Sequence, residues 1–157
     1  MVPMAPEHLF ATQLRWTGNR GTGTSSYVDY DRAHEVSAEG KHVIEGSADR
    51  AFRGDCARWN PEEMLVAALS QCHLLAYLHL CATHGVVVVA YTDDASGSMQ
   101  THDGTGEFTE VVLRPRVEVS DATMIEKAQR LHDDAHGACF IARSVVFPVR
   151  HQPHAVA

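Results

Sequence analysis

The 157-residue chain has no run of five basic residues, and its formal charge is negative, 13 − 20 = −7 with histidines neutral. A surface of that sign repels polyanions, so no general nucleic-acid partner is expected. No unbroken apolar run comes near the roughly 20 residues that a bilayer crossing takes, so no membrane association is expected either. The N-terminus, opening Met1, Val2, Pro3 and Met4, lacks the positive region and hydrophobic stretch of a secretory leader. A cytoplasmic location is the expectation. Internal repeats and low-complexity linkers are also missing. Cysteine is sparse, 4 residues in all. In a cytoplasmic chain of this size that number points to free, catalytic or metal-bound thiols, not to a structural disulfide framework. What remains is ordinary globular material, 45% hydrophobic and 21% charged. It is enough for one domain over residues 1–157, with a core of about 10–149.

Hydrophobic patterning divides the chain near Asn60. Before it, residues 10–16, 27–30 and 42–45 read as short strands, separated by the glycine-rich loop 17–24. Asn60 is a good helix cap, Pro61 suits the first helical position, and Glu63 stands where a capping-box carboxylate reaches back. Leu65, Leu69, Cys72, Ala76 and Leu80 then recur at helical spacing, and Gly85 follows as the stop. Met64, Val66, Leu74, Leu75 and Tyr77 lie off that stripe, so the helix is apolar around much of its circumference and belongs in the middle of a structure. Residues 86–91 read as a buried strand and 108–119 as another, bent or bulged at Pro115. Thr123 and Glu126 open a second helix with the stripe Ile125, Ala128, Leu131, Ala135 and Ala138, and residues 144–149 form a last strand. This order predicts an α+β domain with a mostly antiparallel sheet and a long central helix.

Two cysteines sit in the best-patterned stretches. Cys72 is on the apolar stripe of the long helix, and Cys139 lies where the second helix gives way to a strand. Cys56, in a charged loop, and Cys81, near the end of the long helix, read as inert. A peroxide-reducing cysteine must be a thiolate, which needs a nearby cation or hydrogen-bond donors. It also needs a second thiol to trap its sulfenic acid before overoxidation.

The pattern resembles the OsmC/Ohr family of thiol-dependent hydroperoxide reductases. Asn60, Pro61 and Glu62, with Cys72 ten residues after Glu62, are similar to its first motif, and Ala135, His136 and Cys139 to its second. The resemblance implies an intertwined homodimer with sites at the subunit interface. It implies that Cys72 attacks an organic hydroperoxide, ahead of hydrogen peroxide, and that Cys139 resolves the sulfenic acid as a disulfide. An external dithiol, lipoyl-type in the Ohr branch, then restores the thiols, and no metal or organic cofactor is needed. Glu62 matches the carboxylate that orients a catalytic arginine. Arg20 matches that arginine, with Arg50 and Arg53 as alternatives. The Ohr branch follows its second cysteine with proline, tyrosine and serine; here Phe140, Ile141 and Ala142 stand instead, as in broader OsmC-like branches.

Glu62 and Cys72 are ten residues apart on one helix, roughly 15 Å of rise, so a site using both needs an arginine or a second subunit to span the gap. Other readings are a Cys₂His₂ metal site from Cys72, His73, His136 and Cys139, a cysteine hydrolase pairing Cys72 with His136, and a small-ligand binding module with inert thiols.

Overall fold

The structure is a computed structural model that describes residues 5–157. Residues 1–4, on which the N-terminal expectation partly rests, lie outside the described residues. The chain divides into two compact units, Met1–Pro61 and Glu62–Ala157.

The N-terminal unit is an antiparallel sheet of β1 (Gln13–Trp16), β2 (His34–Ser37) and β3 (Ile44–Gly46), in that order. Its register sets Leu14 opposite Val36 and Val36 opposite Ile44, an apolar row across one face. β2 has a single strong strand former, Val36, and owes its place to pairing on both sides. Residues 27–30 do not form the expected strand. Asp29 donates its backbone N–H to Ser26, and the Ser26 hydroxyl donates to Asp29 at 2.6 Å, a local turn that competes with pairing. The Arg32 guanidinium clamps this turn, 4.5 Å from the Tyr27 ring centroid and 4.0 Å from that of Tyr30. Gly18 is required where the chain leaves β1, because a Cβ there would lie 1.9 Å from the Asp31 carbonyl oxygen. Among the described residues, no large apolar side chain of this unit is buried; Leu9, Phe10, Leu14 and Trp59 are exposed.

The C-terminal unit is organised by α1 (Pro61–Thr83). It begins at the expected proline and ends at the expected glycine: Gly85 has φ 72° and Val86 donates back to the Cys81 carbonyl at 2.9 Å. Its buried stripe is Leu69, His73, Tyr77 and Cys81. This lies one residue, about 100°, round from the expected stripe. The apolar pattern alone could not place it, because the two residues that decide it, His73 and Tyr77, carry polar atoms. Part of the remaining circumference is left exposed: Leu75 is 67% exposed. By length and mean hydropathy, 1.5 over its most apolar window, α1 is also apolar enough to cross a membrane. A search for unbroken apolar runs misses this, because a helix averages its polar residues with their neighbours.

Two small mixed sheets flank the helices. β4 (Val88–Asp93), β7 (Pro115–Val119) and β9 (His154–Val156) form one, in the order β4-β7-β9. β5 (Ser96–His102), β6 (Thr105–Leu113) and β8 (Val149–His151) form the other, in the order β5-β6-β8. The β4/β7 and β5/β6 pairs are antiparallel, and the last strand of each sheet is added in parallel. The expected strand over 108–119 is therefore two, parted at Arg114, whose backbone N–H donates to Asp93 at 2.6 Å before Pro115 opens β7. The other oxygen of Asp93 accepts from Ser70 on α1 at 2.6 Å, so one carboxylate ties helix to strand break. β5 has no apolar alternation and is exposed throughout; the tight turn at Asp103 and Gly104, both at positive φ, folds it onto β6. Residues 86–91 are not buried throughout, as Val87 and Val89 are about half exposed. Residues 142–144 form a 3-10 turn in place of the start of the expected last strand.

The second helix, α2 (Ile125–Ala138), follows a 3-10 turn capped by Asp121, whose carboxylate accepts from the Thr123 backbone N–H at 2.8 Å. Ala128, Leu131 and Ala135 are buried as expected, joined by His132. The unit has two apolar clusters. One joins Tyr77 and Cys81 to Val117, Val119, Ala128, Leu131 and Ala135. The other joins Leu69 to Val111 and Leu113, with Phe108 and Phe147 against it.

Candidate active site

The two thiols marked by the sequence meet, although 66 residues lie between them. α1 carries Cys72 at its midpoint, and Cys139 caps the C-terminus of α2 with an extended backbone, φ −74° and ψ 109°. Cys139 and Cys72 lie close enough for their side chains to interact. Cys139 is buried, 1% exposed, whereas Cys72 is half-buried. Burial first, and then the neighbouring Cys72 side chain, push the Cys139 thiol up to about 11. The backbone N–H of Ala142 points at its sulfur from 3.5 Å, which opposes part of that rise. Cys139 is thus held as a thiol at neutral pH. Cys81 is buried with its thiol pushed up by desolvation, and Cys56 is exposed.

Glu62 is half-buried in the first turn of α1. Arg20 lies in the N-terminal unit, where it donates to the Val28 carbonyl and pairs with Asp31 at 3.7 Å. Arg50 belongs to a 3-10 turn, and Arg53 closes that turn at φ 64°. All three arginines are exposed.

Beside the thiols lies a group of residues that the motifs did not assign. His73 follows Cys72 and is 1% exposed; its Nε2 lies 3.0 Å from Nδ1 of His132, which is fully buried. One turn further along each helix, the Tyr77 hydroxyl donates to the Ala128 carbonyl at 3.0 Å. The His132 ring stacks on Tyr77 at 3.8 Å. His151 on β8 lies 5.7 Å from His73 and 5.1 Å from His136, and bonds Asp133 at 2.8 Å. Burial is the leading cause that lowers His73 to about 4 and His132 to about 3, with neighbouring imidazoles adding to it. The sequence signal was present as two periodicities, residues 69, 73, 77 and 81 on α1 and 128, 132 and 136 on α2. It could be read only by admitting histidine and tyrosine to a buried stripe.

Cys72, His73, His136 and Cys139 do not form a metal cage. Among the described residues, no three His, Cys, Asp or Glu side chains are placed to hold an ion.

A long helix that lays one thiol against another at the end of a second helix, between small mixed sheets, defines a two-thiol α+β fold. The sequence profile described as OsmC-like protein matches residues 54–153, and the chain belongs to that family. An OsmC-like protein of unknown function from Vibrio cholerae has a solved structure 31% identical to this chain, with a TM-score of 0.82, covering 94% of this chain and 99% of that one. An organic hydroperoxide resistance protein from Elizabethkingia anophelis is 19% identical, with a TM-score of 0.66 over 96% of this chain and 98% of that one. Another, from Bacillus subtilis, is 20% identical with a TM-score of 0.59, over 95% of this chain and 100% of that one. At these identities the two hydroperoxide resistance proteins share the fold. No curated protein matches the sequence.

Proposed function

We propose that this protein is a thiol-dependent hydroperoxide reductase with Cys72 as nucleophile and Cys139 as resolving thiol. The observation that carries this reading is the asymmetry of two neighbouring thiols, one buried and held protonated, the other half-buried. The Cys72 thiolate attacks the distal peroxide oxygen; the S–O bond forms, the O–O bond breaks and the alcohol leaves after taking a proton. Sulfur is oxidised by two electrons and the peroxide reduced by two. Cys139 then attacks the sulfenic sulfur; the S–S bond forms, and hydroxide departs with the Cys139 proton as water. An external dithiol reduces the disulfide by exchange. No metal or organic group enters these steps. In this reading Glu62 orients an arginine, Arg20 ahead of Arg50 and Arg53, that activates Cys72. The reaction belongs in a reducing compartment, the cytoplasm, which keeps both thiols ready. The family name and the names of the hydroperoxide resistance proteins that share its fold support an organic hydroperoxide substrate.

Reduced protein treated with cumene hydroperoxide is expected to lose two thiols per peroxide and yield one disulfide, which peptide mapping places between Cys72 and Cys139. A disulfide involving Cys56 or Cys81 instead, or no peroxide-dependent thiol loss, would sink the reading and favour a ligand-binding module.

The working unit in this reading is a homodimer. The N-terminal unit buries no large apolar side chain among the described residues, and α1 leaves Leu75 and Leu78 exposed. A second copy would cover such surfaces. Sedimentation is expected to give twice the chain mass of 17.2 kDa; a fully active monomer would refute the dimeric site.

A further inference from the structure

The geometry points to the buried His73–His132 pair as the positioning link that sets the approach of Cys139 to Cys72. The inference rests on the proposed redox role of those thiols and assigns a task to histidines that it leaves idle.

α1 and α2 are joined by two hydrogen-bonded rungs, Tyr77 to Ala128 and His73 to His132, and Cys72 and Cys139 come together beyond the second. The two rungs are one turn apart on each helix, with residue numbers rising along one helix as they fall along the other when read toward the thiols. His73 is the immediate neighbour of Cys72, and His132 lies on the face of α2 that runs through His136 to Cys139. Apolar contacts between helices tolerate small slips, whereas a buried hydrogen bond does not, because a slip leaves both partners dry and unpaired. Disulfide closure is intolerant in the same way, since sulfurs must reach about 2.0 Å with a narrow range of Cβ positions. A polar rung beside the thiols therefore fixes the coordinate on which closure depends.

The bond needs at least one neutral ring, since one ring nitrogen donates while the other accepts. The groups around the pair keep both rings neutral. Tyr77 on α1, His136 and Asp133 on α2 and His151 on β8 face the pair, and the one carboxylate among them is taken up by His151. His73 Nδ1 and His132 Nε2 have no hydrogen-bond partner, so a second proton on either ring would be a buried charge without a counter-ion.

The test separates the rung from mere packing by conservative replacement. His73→Gln places an amide near the position of Nε2, and His132→Asn near that of Nδ1, so each keeps a hydrogen bond; His73→Leu and His132→Leu fill the space without one. The readout is the Cys72–Cys139 closure equilibrium in reduced and oxidised dithiothreitol, which needs no peroxide, together with the ratio of disulfide closure to sulfenic-acid formation in cumene hydroperoxide. Each leucine variant is expected to lower the closure constant by about tenfold and to let sulfenic acid persist, as an unpaired buried partner demands. The glutamine and asparagine variants should stay within about threefold of the parent. If the leucine variants do not fold, the amide variants alone decide: tenfold loss in both overturns the inference, as does parental closure in folded leucine variants. Parental protein that closes in dithiothreitol but ignores peroxide would refute the peroxidase reading and leave the rung standing. Parental protein that forms no disulfide overturns the rung.

Discussion

Cys72→Ser is expected to abolish hydroperoxide consumption, a loss on the order of a thousandfold or more, because a serine hydroxyl at neutral pH offers almost no anion to attack the O–O bond. The replacement is small, and Cys72 is half-buried, not sealed in the core. Its thermal midpoint should therefore move little, which separates lost chemistry from lost fold. Cys139→Ser should behave differently. Cys72 would still be oxidised once, at a rate set by the peroxide, but its sulfenic acid would have no neighbouring thiol. The expected result is one equivalent of alcohol, then arrest, with Cys72 moving to the sulfinic state under excess peroxide. Cys81→Ser leaves turnover in place, since that thiol lies in the apolar cluster with Tyr77 and Val117. Stopped peroxide assays and intact mass across the three variants distinguish the roles. Sustained turnover in Cys72→Ser would remove the nucleophile assignment altogether, and equal behaviour of Cys72→Ser and Cys139→Ser would remove the order.

The thiol pair shows what the sequence could and could not convey. The helix from Pro61 and its glycine stop were legible because caps and stops are local: proline fixes φ at the first turn, and glycine accepts the φ of 72° at position 85. The meeting of Cys72 with Cys139 was legible only through the family's two motifs, because it is a tertiary contact across 66 residues. The rotation of the buried stripe of α1 was not legible from hydrophobicity. Leu75 is apolar and exposed, whereas His73 is polar and buried; burial followed the partner that His132 offers, which no count of apolar letters contains. The split of 108–119 followed from Asp93, a residue outside that stretch, accepting from Arg114. β9 escaped notice for a related reason. Three residues, His154 to Val156, become a strand only because β7 presents an edge and Gln129 on α2 accepts from Ala155 at 3.0 Å. Arg20 was reached through the family pattern alone, and its exposed loop, tied to Val28 and Asp31, is what a solvated arginine would also show.

Lowering the pH from 7 to 5 is expected to cost the fold on the order of 4 kcal/mol, through His73 and His132 together, at about 1.4 kcal/mol per pH unit for each withheld proton. The sign follows from where each state takes up protons. In the unfolded chain both imidazoles titrate near their ordinary value of 6.5. In the native state burial holds His73 down to about 4 and His132 to about 3. Their contribution is complete above the unfolded value and drains away as the pH falls toward the native values, since the unfolded state binds protons that the folded state refuses. Ordinary carboxylates titrate at about 4, so the interval from pH 7 to 5 isolates the histidines. His136, lowered in the same direction by its partial burial, adds to the slope. Urea unfolding should show a stability that is nearly flat from pH 8 to 7 and falls steeply below about 6.5. In the His73→Gln/His132→Asn double variant, which has no imidazole at either position, most of that slope should vanish. A parental stability that does not change between pH 7 and 5 would mean that the native state accepts these protons, and the neutral rung between α1 and α2 would have to be abandoned.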